Sequence, residues 1–236
     1  MRLANNVQTQ FQQRGIALMV VLWMLILLTL MAGSYSANMR TESLTTARHV
    51  QTSEARVIAE AGIWLAVKDL HKTKAERLWS ADGTVETIDY LGSEIRVRVQ
   101  DEAGKIDLNT AREALLRGLL QSTDIDEEDV NSITQAILDW RDRDKLVRLN
   151  GAEDTDYELA GLDYGAKDGP FNSIEELRLV MGMTEAIFQK IRPALTVHSH
   201  LPGINPRIAV REALLALPDI DVDFADEFIS LRNEDN

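Results

Sequence analysis

The sequence predicts an α+β fold: a long N-terminal helix that starts in a membrane, a small antiparallel sheet, and a large remainder of short helices. Three observations carry this. Residues Ile16 to Met39 contain no charged side chain. Residues Glu94 to Gln100 alternate, with Ile95, Val97 and Val99 between polar neighbours, which is the period of a strand. From Lys105 onward, apolar residues return at helical steps of three and four.

The first element is the uncharged run. At ~1.5 Å per residue it is long enough to cross ~30 Å of hydrocarbon as a helix. Residues 1–15 form a polar leader with Arg2, Arg14 and no acid. Three readings of this start are open. A cleavable secretory signal would use Ser34-Tyr35-Ser36-Ala37 as its cut site, but its apolar core is normally shorter. A plain anchor would keep the basic leader in the cytoplasm and export the acidic bulk. A type IV pilin-like signal would be cut between Gly15 and Ile16, so that the mature chain begins with its own membrane helix.

No proline occurs before Pro170. Val50, Val57, Ile58, Ala61 and Leu65 recur at helical steps, with Arg48, Glu54, Arg56, Glu60 and Lys68 on the polar side. The simplest expectation is one helix of ~80 Å from Ile16 to near Leu70, apolar throughout at first and amphipathic later. The alternative is two helices hinged at Gly33-Ser34. This divides the chain into a leader (1–15), a transmembrane half-helix (16–37), a helix with strands (38–102) and a helical domain (103–236).

Thr84–Tyr90 and Glu94–Gln100, joined through Leu91-Gly92-Ser93, read as strand, turn, strand, with the apolar side of the second strand toward the long helix. Beyond Lys105, Asn109 is expected to cap a helix from Thr110 to Gln121, with Leu115, Leu116, Leu119 and Leu120 inward. Asp126-Glu127-Glu128-Asp129 opens another helix, where the dipole favours acids; Val130, Ile133, Ile137 and Trp140 mark its apolar face. Ser173 and Glu176 suggest a capping box. Thr184 suggests a cap for a helix to Arg192, Asn205-Pro206 a helix start, and Asp223–Arg232 a last helix. Ile106–Leu116 and Ile204–Leu215 form a weak internal repeat, with a looser copy at Phe171–Leu177. The repeat has the look of helix-hairpin-helix units.

The chain has 236 residues, a net charge of −13 and no cysteine. Disulfides and thiolate chemistry are excluded. The acidic balance disfavours nucleic acid, which wants a basic surface; it suits a divalent cation or a basic partner. The hairpin Leu217-Pro218-Asp219-Ile220-Asp221 carries acids where a phosphate would approach. The densest set of candidate cation ligands is Asp139, Asp142, Asp144, Asn150, Glu153, Asp154, Asp156, Asp163 and Asp168, threaded with glycines at 151, 161, 165 and 169. Calcium takes six to eight oxygens from such flexible loops. A solvated acidic loop tempered by Arg141, Arg143, Lys145 and Arg148 is the alternative. Zinc is disfavoured by four scattered histidines. His198 and His200 are expected on one side of a strand, as surface residues. No nucleophile motif or phosphate loop supports an enzyme.

Several stretches together resemble the minor pseudopilin K family of the type II secretion system. They are Gln13–Leu18, Ala59-Glu60-Ala61-Gly62, Asp101–Asn109, Ile137–Asp142, Asn150–Tyr157 and Pro202–Pro206. The resemblance implies cleavage after Gly15 by a prepilin peptidase and N-methylation of Ile16. It implies a single-pass inner-membrane protein, N-terminus cytoplasmic and C-terminal domain periplasmic, that helps to start or cap a pseudopilus with minor pseudopilins I and J on a membrane platform. It also implies a large helical domain inserted into a pilin-like sheet, and calcium in the acidic loop. Major subunits carry a glutamate five residues into the mature chain; Val20 stands there, which suits a subunit with no neighbour above it to neutralise. Members continue into strands that complete the sheet; the expectation here is that such C-terminal strands are absent, so that either a neighbouring subunit completes the sheet or this is a short or truncated form. A membrane-anchored helix-hairpin-helix DNA-binding protein of the competence type is the alternative function, and an anchored periplasmic hydrolase a third.

Overall fold

A computed structural model describes residues 13–73 and 76–234. Its longest element, α1, runs unbroken from Gln13 to Leu70. Gly33 does not interrupt it: the backbone is helical on both sides, so the hinged alternative is not adopted. Within α1, Ala17–Ser36 is long and apolar enough to cross a membrane, and its side chains are exposed. The chain divides into two units, Met1–Ala61 and Gly62–Asn236.

In the second unit, the end of α1 meets an antiparallel hairpin of β1 (Asp82–Tyr90) and β2 (Ser93–Gln100). The two-residue connection Leu91-Gly92 has left-handed backbone at both positions, as a tight hairpin of this hand requires. Ile95 is buried while Arg96 and Arg98 point outward, as the alternation predicts. Gly62 is what lets α1 come so close. A β-carbon there would stand 2.9 Å from Ile95 Cγ2. At the end of α1, buried Asp69 accepts the N–H groups of Leu78 and Trp79 and the ammonium of Lys72. Burial alone would raise its pKa, but the Lys72 ammonium and those two N–H groups more than offset this and hold it below the usual carboxylate range.

The helical region follows. β3 (Ile106–Asp107) leads to α2 (Glu113–Gln121) and α3 (Glu127–Arg141). After a loop come α4 (Asp154–Leu159), a 3-10 turn at Ile174–Leu179, and α5 (Glu185–Ile191). β4 (Leu195–Thr196) pairs parallel with β3, and α6 (Arg211–Leu214) and α7 (Val222–Glu234) close the chain. The core gathers Ile106, Leu116, Leu119, Val130, Ile133, Ile137, Tyr157, Leu177 and Phe188. The leucines of α2 are inward, as their spacing requires.

Four local expectations are corrected. Asn109 does not cap α2, which begins after Arg112. Its amide instead clamps Phe171, donating to its carbonyl at 3.0 Å and accepting its N–H at 2.7 Å. Ser173 forms no capping box; Glu176 takes the N–H of Asn172 and the ammonium of Lys167. Asn205-Pro206 opens only the 3-10 turn Pro206–Ile208, too short to bury a helical face. His198 and His200 do not share a strand face, since β4 ends at Thr196 and His200 has φ of 54°. Thr184 does cap α5, accepting the N–H of Ile187. The repeat survives only as a shared outline. α2 has nine residues and α6 only four, so the two copies do not superpose as equal helix-hairpin-helix units.

Gly118 allows a close backbone approach inside this region. A β-carbon there would fall 2.2 Å from the carbonyl oxygen of Ala216. Gly118→Ala should therefore force α2 away from the α6–α7 connection and lower stability by about 2–3 kcal/mol. Chemical denaturation of wild type and variant measures it; an unchanged midpoint would show that the backbone yields freely there.

Candidate functional site

The acids proposed as cation ligands lie on the end of α3, on α4 and on the loops around them, and the fold treats them unequally. Asp139 is fully buried in α3. Its Oδ2 accepts the N–H groups of Arg148 and Ala152, and its Oδ1 accepts from the Arg148 guanidinium at 2.6 Å. The same guanidinium nitrogen donates to Asp142 Oδ2. Lys145 donates to Asp154 Oδ2 at 2.7 Å and stands 3.5 Å from Asp168 Oδ2. Two cations thus stitch the loop after α3 to α4 and to the stretch before Pro170.

Not every carboxylate oxygen is served. Asp142 Oδ1, Asp168 Oδ1 and both oxygens of Glu153 are buried without a hydrogen-bond donor. Glu153 is 6% exposed. Burial, then the charges of Asp168, Asp139, Asp142 and Asp154, push its pKa up to about 7. Four orphaned acid oxygens in one region leave negative charge that Arg148 and Lys145 do not satisfy.

The other proposed ligands are placed elsewhere or occupied. Asp144 Oδ1 accepts the N–H of Leu146. Asp156 Oδ2 accepts the N–H of Glu153 at the start of α4. Asn150 turns the chain in the left-handed region, and it and Asp163 are exposed. Among the described residues, no group of three or more His, Asp or Glu side chains is placed to hold an ion by itself.

Two glycines of the acidic stretch have steric reasons. A β-carbon at Gly151 would lie 1.9 Å from Asp139 Oδ2, and one at Gly165 would lie 2.0 Å from Asp154 Oδ1. Sequence reasoning counted these glycines as loop formers and Arg148 as a diluting charge. It missed that Arg148 is the hub; an arginine nine residues after a buried aspartate carries no signal of its own. Beneath the loop, Trp140 lies 6.0 Å from Tyr157 and 6.2 Å from Phe171, and Tyr157 is 5.7 Å from Tyr164. The Tyr157 hydroxyl accepts the N–H of Met181, which fixes α4 to the core.

At the other end of the chain, Gly15 and Ile16 lie in the first turns of α1, helical in the uncut chain, and Val20 is an exposed apolar residue on the same helix. The leader before Gln13 lies outside the described residues.

Comparison with known proteins fits both ends. The sequence profile described as type II secretion system (T2SS), protein K, matches residues 96–200, from β2 through the whole acidic stretch to β4. The type II secretion system protein K of Klebsiella pneumoniae is 28% identical over 229 residues, covering 87% of this chain and 70% of that protein. The protein K of Pseudomonas aeruginosa is 25% identical over 248 residues, covering 94% of this chain and 73% of that protein. Over these stretches the chain is similar to type II secretion system protein K. A solved GspK-GspI-GspJ complex from the enterotoxigenic Escherichia coli type 2 secretion system holds a chain of similar fold. Its TM-score is 0.51 at 19% identity, over 76% of this chain and 68% of that one.

Proposed function

We propose that this protein K homologue sits at the tip of a pseudopilus and starts or caps its assembly for export of folded proteins. The observation that carries the reading is α1: an unbroken helix whose first half is apolar and fully exposed, and which continues without a break to residues that pack on the sheet. A plain anchor needs only the first half. A stalk that leaves the membrane to join a fibre needs the apolar half and a polar continuation of the same helix. The leader would stay in the cytoplasm, with the domain after α1's apolar half in the periplasm. Val20 supports the tip position, since a glutamate there would want a neighbour's amine. Minor pseudopilins I and J are the proposed partners, supported by the solved complex of a protein with this fold. Prepilin peptidase and the inner-membrane platform complete the set.

The test is the mature N-terminus. Mass spectrometry of the membrane-inserted protein should find N-methylated Ile16 as the first residue. An intact leader, or a start after Ala37, would sink the assembly reading.

Calcium is proposed as the resident ion of the acidic stretch. What supports it is unsatisfied charge in one stretch: Glu153, Asp142 and Asp168 each keep an oxygen without a donor, and an ion there would draw on one or two of them, with loop carbonyls and water supplying the rest of a shell of six or more. Asp139 would act through Arg148, holding the loop rather than the ion. The ion would supply positive charge to tie the loop to α4. Tyr157 and Tyr164 lie close enough to the stretch to sensitise bound terbium. Terbium luminescence excited through tyrosine, displaced by calcium and lost in Asp168→Asn, is the expected result. No luminescence above free terbium would remove the site.

A further inference from the structure

The helical region has a second feature that neither the acidic stretch nor the stalk uses. An apolar groove of ≈ 690 Å³ lies between α2 and the α6–α7 connection. Leu115 and Gly118 form one wall, Leu217, Pro218 and Ile220 the other, and Ile204 closes one end. The close approach of Gly118 to the Ala216 carbonyl fixes the base.

Its rim is acidic. Asp124 ends the α2–α3 turn and Asp219 and Asp221 lie in the α6–α7 turn; all three are exposed. Asp124 and Asp219 hold left-handed φ of 60° and 62°, a conformation aspartate tolerates. Asp126 and Asp223 add exposed charge beside them. Arg112 is the one basic side chain lining the groove. A phosphate backbone brought to these turns would meet carboxylates. A cation would meet attraction, and an apolar side chain below it would find an apolar floor.

The geometry points to a docking groove for a segment of another protein that is apolar on one side and carries lysine or arginine on the other. The apolar side fills the groove between α2 and the α6–α7 turn, and the cations reach the three aspartates on the rim. This goes beyond the pseudopilin reading and does not depend on it.

The test uses the full chain in lipid nanodiscs and a fluorescent 18-residue peptide with leucines at helical spacing and lysines elsewhere. A matched peptide with glutamates in place of the lysines and a 20-base-pair duplex serve as comparisons. Binding of the lysine peptide should exceed that of the glutamate peptide at least tenfold and weaken with salt. The double change Asp124→Asn, Asp219→Asn, which keeps the left-handed turns comfortable, should weaken it about fivefold or more. Ile220→Ser should weaken it without changing the salt slope. The pair Glu158→Gln, Asp163→Asn, away from the groove, should leave it unchanged. Thermal melts of each variant separate lost binding from lost fold. The inference is overturned if the lysine peptide does not bind, if the distant pair lowers binding as much as the groove pair, or if the duplex binds in a way the groove variants reduce.

Discussion

Glu153→Gln should make the protein more stable than wild type at pH 8 in chelator, and blind to calcium. The folded chain keeps the Glu153 proton up to about pH 7, whereas the unfolded chain loses it near 4.5. Between these values the native state binds more protons, so stability falls as pH rises through the window, and the whole deficit stands above pH 7. A shift of this size corresponds to on the order of 3 kcal/mol. Glutamine has no proton to lose and removes this part of the pH dependence. Calcium bound at the proposed site would act in the opposite sense, since it would bind the ionised carboxylate and gain affinity as pH rises. At a hundred times its dissociation constant it would add about 2.7 kcal/mol, or roughly 5–10 °C in melting temperature for a chain of this size. Urea denaturation at pH 5 and pH 8, with chelator and with calcium, gives all four arms. Equal pH slopes for wild type and variant in chelator would show that Glu153 titrates normally. A variant that calcium stabilises as much as wild type would place the ion elsewhere.

Asp107→Asn is the second large effect, an expected loss of about 3 kcal/mol. Asp107 is fully buried and acts as a four-way acceptor. Oδ1 takes the N–H groups of Asn109 and Thr110 at 2.8 and 3.2 Å; Oδ2 takes the N–H of His200 at 2.8 Å and faces the Ser199 hydroxyl at 3.5 Å. Asparagine has one acceptor oxygen, and its amide would point N–H at N–H on one side. The cost is high because one buried carboxylate bridges two turns that lie ninety-odd residues apart in sequence, beside the β3–β4 pair. Chemical denaturation measures the loss. Amide exchange localises it, and the His200 N–H should lose protection before the leucines of α2. Uniform loss of protection would mean that Asp107 supports the core in general and not this seam.

Much of the fold was legible because periodicity reports burial. α1, the β1–β2 hairpin, and helices α2, α3, α5 and α7 all carry repeats long enough for the period to show. The failures share a cause. β3 and β4 have two residues each, too few for an alternation, and they form because the chain brings Ile106 beside Leu195. Asn109 is a good cap in isolation, but it sits where Phe171, 62 residues away, offers two bonds; Ser173 makes no cap bond, and Glu176 accepts instead from Asn172 and Lys167. At the candidate ion site, sequence gathered one acidic stretch and could not rank its members. Nine oxygen-bearing side chains look alike until the fold buries Asp139, commits Asp144 and Asp156 to backbone N–H groups, exposes Asp163 and strands Glu153.

Composition and pattern alone determined three things: an apolar helix long enough to cross a membrane, an acidic chain without thiol chemistry, and a likeness to type II secretion system protein K through spaced motifs. These depend on the chain's own order, which folding does not alter. Only the tertiary structure decided which acids keep unpaired oxygens, why Gly118 and Gly151 have no side chain, and that acidic turns flank an apolar groove. Each depends on distances between residues far apart in sequence, and burial changes the energy of a charge more than its identity does.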